Sequence, residues 1–430
     1  MTDLTSQLLP ALHAYRLPGL DLGAGFITPN YAGGSILNLP DSVCAWLGAP
    51  GIADRPLAPA LHTQLQGDLR RVIVFLVDAL ALKRLQRWMT GGSALVWNDL
   101  AQKGLLAPLT SITPSTTSSA LTSLWTGRSP AEHGIPGYEI WLKEYGLVAS
   151  MIYHAPISFR SDVGSLERAG FQPEEFMSLP TLGTHLAGHG VKVFALQHRS
   201  ILNSGLSRMF FKNVEVRGFH TLVDMFINLR HIVEDHPRQR QYIWVYTGDL
   251  DTLSHFYGPD DERAQAEFDS LSHAFKQYFL ERLSPAARRG TGLVLTADHG
   301  QVSTHINPIY ELRNHPGLAD RLHILPTGES RLMYLYPRSG QAGTLRDYFE
   351  RVFPDQFAFL DPAYAVEQGL LGPGTPHPRL LERMGDLIAA ARSQAYLWWA
   401  EHKNFLVGRH GGLTEDEMVV PFLATRLDET

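Results

Sequence analysis

Three apolar runs, residues 71–77, 242–247 and 292–296, constrain the fold of this chain more than any other feature, because each gives way at once to acidic residues or histidine. A run with no polar face has nothing to turn toward water. A strand of this kind must be covered on both sides, which is the condition of a parallel sheet between helices. Between these runs, residues 222–234 and 262–283 carry apolar side chains three and four apart, the spacing of helices that bury one face. The alternation predicts an α/β fold. In open sheets of that class, ligands bind in the crevice beyond the strand carboxyl ends, so polar groups at three such ends predict one site assembled from distant segments.

Asp78 directly follows the first run. Asp251-Thr-Leu-Ser-His255 sets a carboxylate and an imidazole four apart, on one face of a helical turn, where both can grip one cation. Asp249 is the alternative carboxylate, without that spacing. Asp298-His299 follows the third run, with Gly300 freeing the backbone of the turn. His410 sits in Gly408-Arg-His-Gly-Gly412, a loop suited to presenting an imidazole into a cleft. Hydroxyls crowd the segment from Thr113 to Thr117, between a strand-like stretch at 105–112 and a helix expected to begin near Thr117. The free N–H groups of such a helix start attract an anion, which makes Thr117 the candidate nucleophile. Taken singly, these fragments have ordinary explanations: a cap or surface ion pair for Asp251 and His255, a turn for Asp298-His299-Gly300, an N-cap for Thr117. Their joint occurrence carries the functional reading.

Composition removes competing classes. A formal net charge of -6 without a basic block argues against a nucleic-acid scaffold. With 44% hydrophobic and 19% charged residues the chain is of the folded globular type. The lone Cys44 excludes an internal disulfide and a thiolate zinc cage. There is no Gly-rich phosphate loop of the kinase or dehydrogenase type. The N-terminal residues lack a basic region and a long apolar core, and no stretch approaches the roughly 20 apolar residues of a membrane span, so a cytoplasmic protein is expected. Residues 1–69, rich in Pro and Gly, are expected to form an irregular arm packed on the core. Residues 70–302 then form the first part of a catalytic α/β core, 303–405 an inserted subdomain with a strand-like run at 331–336, and 406–430 a return to the core carrying His410.

In order along the chain come Asp78, Thr117 within Thr-Pro-Ser-Thr-Thr, Thr126-Gly127 and Pro130-x-x-His133-Gly134-Ile135. Asp251-x-x-x-His255-x-x-Gly258-Pro259, Asp298-His299-Gly300 and Gly408-x-His410-Gly411 follow. This succession resembles the alkaline phosphatase superfamily, most of all its type I phosphodiesterase/nucleotide pyrophosphatase branch, over about residues 70–425. The resemblance implies an α/β/α sandwich with a central mixed, mostly parallel sheet and an inserted smaller subdomain. It also implies two divalent cations, zinc by preference, with manganese suited to the same donors. Asp78, Thr117, Asp298 and His299 would hold one ion, and Asp251, His255 and His410 the other. Thr117 would attack phosphorus to form a covalent intermediate, and the binding partner would be a small phosphoester.

Phosphomonoesterase and phosphonate hydrolase activities share that machinery. A phosphoglycerate mutase-like transferase is a more distant alternative, opposed by Thr rather than Ser at the nucleophile position and by the modest gap before Asp251. A non-catalytic binding module is opposed by the presence of all seven ligand residues. In the phosphodiesterase branch an Asn three residues after the nucleophile hydrogen-bonds the phosphoryl oxygen. Here position 120 is Ala, and Asn404 or Lys403 is the candidate replacement. Arg128, Arg160 and Arg199 are candidate phosphate clamps. Tyr396-Leu-Trp-Trp399 predicts a core strand, with a stacking or leaving-group pocket as the alternative. His133 is expected to support the nucleophile helix from beneath, and Thr414 with Glu417 to start a short helix. No Cys-x-Pro-x-Arg motif exists, which excludes sulfatase chemistry.

Overall fold

A computed structural model describes residues 2–159, 162–236 and 238–429. Its principal sheet has eight strands in the spatial order Thr2–Asp3, Leu105–Thr110, Val419–Arg426, Thr291–Thr296, Arg71–Val77, Gln241–Thr247, Lys192–His198 and Glu215–Phe219. Every pairing is parallel except the two made by Val419–Arg426, so the sheet is mixed and mostly parallel, as expected. The strands Arg71–Val77 and Thr291–Thr296 are buried at every position, which is why their sequences show no alternation.

Helices cover the sheet. Leu222–Asp235 buries Met225, Phe226, Leu229, Ile232 and Val233, one stripe of its surface. The expected helix at 262–283 is regular only over Glu262–Ala274 and continues as a wider π turn, Phe275–Phe279. That turn buries both Phe275 and Phe279, and the Phe275 ring stacks on Trp97 at 4.5 Å. Packing of aromatic rings has overridden the helical period here. Among the described residues no helix is long and apolar enough to cross a membrane.

A second, antiparallel sheet of seven strands runs in the order Phe357–Leu360, Leu387–Ala391, Leu332–Pro337, Leu322–Glu329, Glu139–Leu142, Leu147–Ser150 and Ala155–Pro156. It joins strands from 322–391 to strands from 139–156 through the pair Gly328 and Glu139. The N-terminal residues lie against the main core, where Ile36, Leu37, Trp46 and Leu65 are buried, and Thr2–Asp3 adds a parallel edge strand to Leu105-Leu106.

Arg331 and Glu417 tie the two sheets together. Both are fully buried, and the guanidinium donates to both carboxylate oxygens, at 2.7 and 2.9 Å. Glu417 also caps the short helix Glu415–Met418 through Thr414, as the sequence pattern suggested, and accepts from the Gly412 N–H at 2.8 Å. One carboxylate therefore anchors the second sheet and the loop that follows His410. Replacing Arg331 with Leu should leave Glu417 charged, buried and without its guanidinium, costing about 3–5 kcal/mol. Denaturant titration measures this, and a loss below about 1 kcal/mol would show that the pair does not hold the sheets together.

Candidate active site

Three adjacent strands, Thr291–Thr296, Arg71–Val77 and Gln241–Thr247, run in register, with Thr296, Leu76 and Tyr246 side by side. Their carboxyl ends define one edge of the sheet, and Asp298, Asp78 and the helix Asp249–Tyr257 follow directly. Val419–Arg426 is antiparallel to its neighbours, so its beginning lies at that same edge, with Val419 opposite Thr110. The loop carrying His410 precedes this strand and thereby reaches the strand ends. A short ladder pairing Val302 with Arg409 and Ser303 with Gly408 pins it beside Asp298-His299.

Asp78, Asp298 and His299 form one cluster of potential ligand atoms lying within 4.8 Å of one another, and Asp251, His299 and His410 form a second. His299 Nε2 is 3.5 Å from Asp78 Oδ1 and 3.5 Å from Asp298 Oδ2, and its ring stacks on that of His410 at 3.8 Å. His255 Nε2 lies 3.4 Å from Asp251 Oδ1, and His410 Nε2 lies 3.9 Å from the same oxygen. Thr117 opens the helix Thr117–Thr126, with extended Thr116 before it, and its Oγ1 is 3.1 Å from His299 Nε2. All seven residues singled out along the chain thus meet at one sheet edge. His299 stands between the two clusters rather than wholly in one.

The three imidazoles are held in one tautomer. His255 Nδ1 lies 2.8 Å from the Gly408 carbonyl, His299 Nδ1 3.0 Å from that of Gly300, and His410 Nδ1 3.1 Å from that of Ser115. A carbonyl only accepts, so each Nδ1 carries the proton and each Nε2 lone pair faces the carboxylates. Gly300 is needed for close approach rather than for an unusual turn. A Cβ there would sit 2.0 Å from the Asp416 carbonyl oxygen.

Electrostatically the cluster is unbalanced. Burial, with Asp298 and Asp251 close by, pushes the Asp78 carboxyl well above the usual range, and burial likewise raises that of Asp298. Burial beside His299 and His255 drives His410 well below an ordinary imidazole. Asp78 Oδ1 and Asp298 Oδ2 are buried without any hydrogen-bond partner. Carboxylate oxygens and imidazole Nε2 atoms that converge, two of the oxygens without a hydrogen-bond partner, suit divalent cations, so the residues present fit metal ions.

The cluster opens into a cleft of about 600 Å³ lined by Thr116, Thr117, Tyr138, Glu139, Glu329, Trp398, Trp399 and Phe405, among others. Several expectations change here. Asp249 is exposed and faces Glu267 instead of the cluster, because Asp251 occupies the turn of the helix that points inward. Arg128 is spent on Glu132 and the Ile52 carbonyl, and Arg199 is exposed away from the cleft, so neither is a clamp. Arg160 lies outside the described residues.

Ala120 is wholly buried in the core and does not line the cleft, so position 120 offers no donor to a ligand. Asn404 bonds Tyr396 and Arg409, and Lys403 is exposed, so neither replaces that donor. Residues 396–399 form no strand beyond a single bridge at Trp398. Trp398 and Trp399 line the cleft instead. His133 does lie against the helix Thr117–Thr126. Its Nδ1 accepts from Ile135 N–H at 3.1 Å, which leaves Nε2–H to face Ser123 Oγ at 3.2 Å.

Three polar partners went unread in the sequence. Tyr246 donates to Asp78 Oδ2 at 2.5 Å, and Gln301 reaches both the carboxylate and the carbonyl of Asp251. Glu329 accepts from Thr116 Oγ1, and burial pushes its carboxyl up to about 8. Tyr246 was open to discovery, since it ends a strand adjacent to that of Asp78. Glu329 and Gln301 carry no local signal.

The model of the type I phosphodiesterase / nucleotide pyrophosphatase family matches residues 72–413. No curated protein matches the sequence. Among solved structures, phosphonoacetate hydrolase from Sinorhizobium meliloti, bound to phosphonoformate, has 17% identity and a TM-score of 0.60, with 84% of this chain and 91% of that one covered. Murine ectonucleotide pyrophosphatase/phosphodiesterase 5, as an inactive variant with AMP, has 16% identity and a TM-score of 0.59, with 84% and 88% covered. At such identities the likeness is one of fold.

If the cluster holds cations, zinc or manganese at a hundredfold excess over Kd should stabilise the chelator-treated protein by about 2.7 kcal/mol. Asp298→Asn should remove most of that gain while leaving the metal-free protein as stable or more so, because a buried like charge is gone. An undiminished metal-induced rise in Tm for the variant would exclude Asp298 as a ligand.

Proposed function

The chain belongs to the type I phosphodiesterase/nucleotide pyrophosphatase family, a family of phosphoester hydrolases, and on that premise we propose that it cleaves phosphodiesters through Thr117 beside two divalent cations. Asp78, Thr117, Asp298 and His299 would hold one ion, and Asp251, His255 and His410 the other. Zinc is favoured by the mixture of imidazole and carboxylate donors. When bound, such a pair lowers the pKa of a nearby hydroxyl and offsets the charge of an in-line displacement.

The observation that carries this reading is the position of Thr117. Its hydroxyl opens a ten-residue helix at the cluster, 3.1 Å from His299 Nε2. The helix start directs free N–H groups toward an incoming phosphoryl oxygen. Oγ1 attacks phosphorus as the bond to the leaving alcohol breaks, and the hydroxyl proton departs with that alcohol. Water then cleaves the Thr117–phosphorus bond and restores the hydroxyl. Two inversions give net retention at phosphorus. Tyr246 and Gln301 position Asp78 and Asp251, and the backbone carbonyls of Gly408, Gly300 and Ser115 orient the three imidazoles.

Thr117→Ala should lower turnover of a nitrophenyl phosphodiester on the order of 10³-fold or more, as loss of a nucleophile does. Metal content should be kept, because Asp78, Asp298 and His299 remain. Mass spectrometry of acid-quenched wild-type protein should find the phosphoryl group on the peptide containing Thr117. Unimpaired turnover in the variant would exclude this nucleophile.

A further inference from the structure

We infer that the cleft selects a phosphodiester with a single negative charge and a bulky apolar or aromatic ester group, and discriminates against substrates that carry a second anionic group. The inference rests on the reading of Thr117 and its cations as the reactive centre and concerns the walls beyond it.

Those walls present ring faces rather than polar edges. The Trp398 indole N–H donates to the His402 carbonyl at 3.1 Å, and that of Trp399 to Glu139 at 2.8 Å. With both indole donors spent, what remains for a ligand is aromatic surface. Phe405 continues it outward, stacked on Phe256 at 5.3 Å, and the two rings remain 43% and 50% exposed at the rim. Ile152, Tyr153, Val163 and Leu397 also line the cleft. Its volume of about 600 Å³ accommodates a group of several rings or a long alkyl chain.

The charge pattern points the same way. Among the described residues, Arg409 is the one guanidinium lining the cleft, and no lysine lines it. Both Nη groups of Arg409 are committed, to the Leu406 carbonyl, Thr304 and Asn404, and its plane lies 3.7 Å from the Tyr396 ring centroid. Glu139 and Glu329 also line the cleft and offer no positive charge in either protonation state, and the one lining imidazole outside the ligand cluster among the described residues, His402, lies against the Trp398 and Phe405 rings. A β-phosphate or a carboxylate bound here would be desolvated beside carboxyl groups, which costs affinity, whereas an aryl or alkyl ester group would not.

The test uses the metal-loaded full chain and four substrates: 4-nitrophenyl phenyl phosphate, methyl 4-nitrophenyl phosphate, the dianion 4-nitrophenyl phosphate, and ATP. The phenyl diester should exceed each of the others in kcat/KM by about tenfold or more, and should exceed the methyl ester chiefly through KM. Phe405→Ala removes an exposed ring, and the phenyl-to-methyl ratio should fall about threefold to tenfold. A smaller margin for the phenyl diester, or a ratio untouched by Phe405→Ala, would overturn the inference.

If none of the four is turned over, it is the phosphodiesterase reading that fails. The selectivity is then read by calorimetric titration of metal-loaded Thr117→Ala with diphenyl phosphate and with ATP. Binding of diphenyl phosphate about tenfold or more tighter upholds the inference, and any smaller difference refutes it.

Discussion

Three carboxylates that share one sheet edge, two of them buried, set the terms for the rest of this protein. Asp78 and Asp298 are buried with unpartnered oxygens, and Asp251 stands close enough to raise both. Like charges withdrawn from water in this way destabilise a fold unless positive charge is supplied. The surrounding structure is arranged around that need. Three imidazoles direct their Nε2 atoms inward, with every Nδ1 tied to a backbone carbonyl, which fixes the rings in place around the carboxylates. The site is preorganised for a cation and is costly without one.

The fold makes such a site possible through a reversal in strand direction. Parallel strands deliver Asp78, Asp298 and the Asp251 helix to one edge, but a further parallel strand would deliver its preceding loop to the opposite edge. Val419–Arg426 runs antiparallel, which brings the loop with His410 to the same place as the strand ends. The buried Arg331–Glu417 pair then fixes that loop relative to the second sheet, whose strand Leu322–Glu329 contributes Glu329 to the cleft. The ligand cluster and Glu329 in the cleft wall therefore come from different sheets, which this ion pair helps to join.

Much of this was readable along the chain, because the signals are local. A strand buried on both faces shows it in every residue, and a ligand at its end is the next polar residue, as with Val77-Asp78 and with Asp298-His299 after Thr296. Asp251 and His255 declared a shared helix face through their spacing, and Thr117 stood where a helix had to begin. The misreadings have a common cause. Residues 396–399 look like a core strand because Trp is apolar wherever it lies. Arg128 and Arg199 look like clamps because a guanidinium carries no mark of which carboxylate or carbonyl will claim it.

The order of elements, the buried strands and the candidate ligands followed from short-range chemistry, since hydrophobic period and residue type act within a few positions of one another. The sharing of His299 between two clusters, the support of Asp251 by Gln301 across 50 positions and of Asp78 by Tyr246 across 168, and the facing of Glu329 on Thr116 across 213 belong to the folded molecule alone. Those contacts depend on sheet register and on how two sheets meet. Both are set by the packing of the whole core and leave no trace in any single stretch of residues.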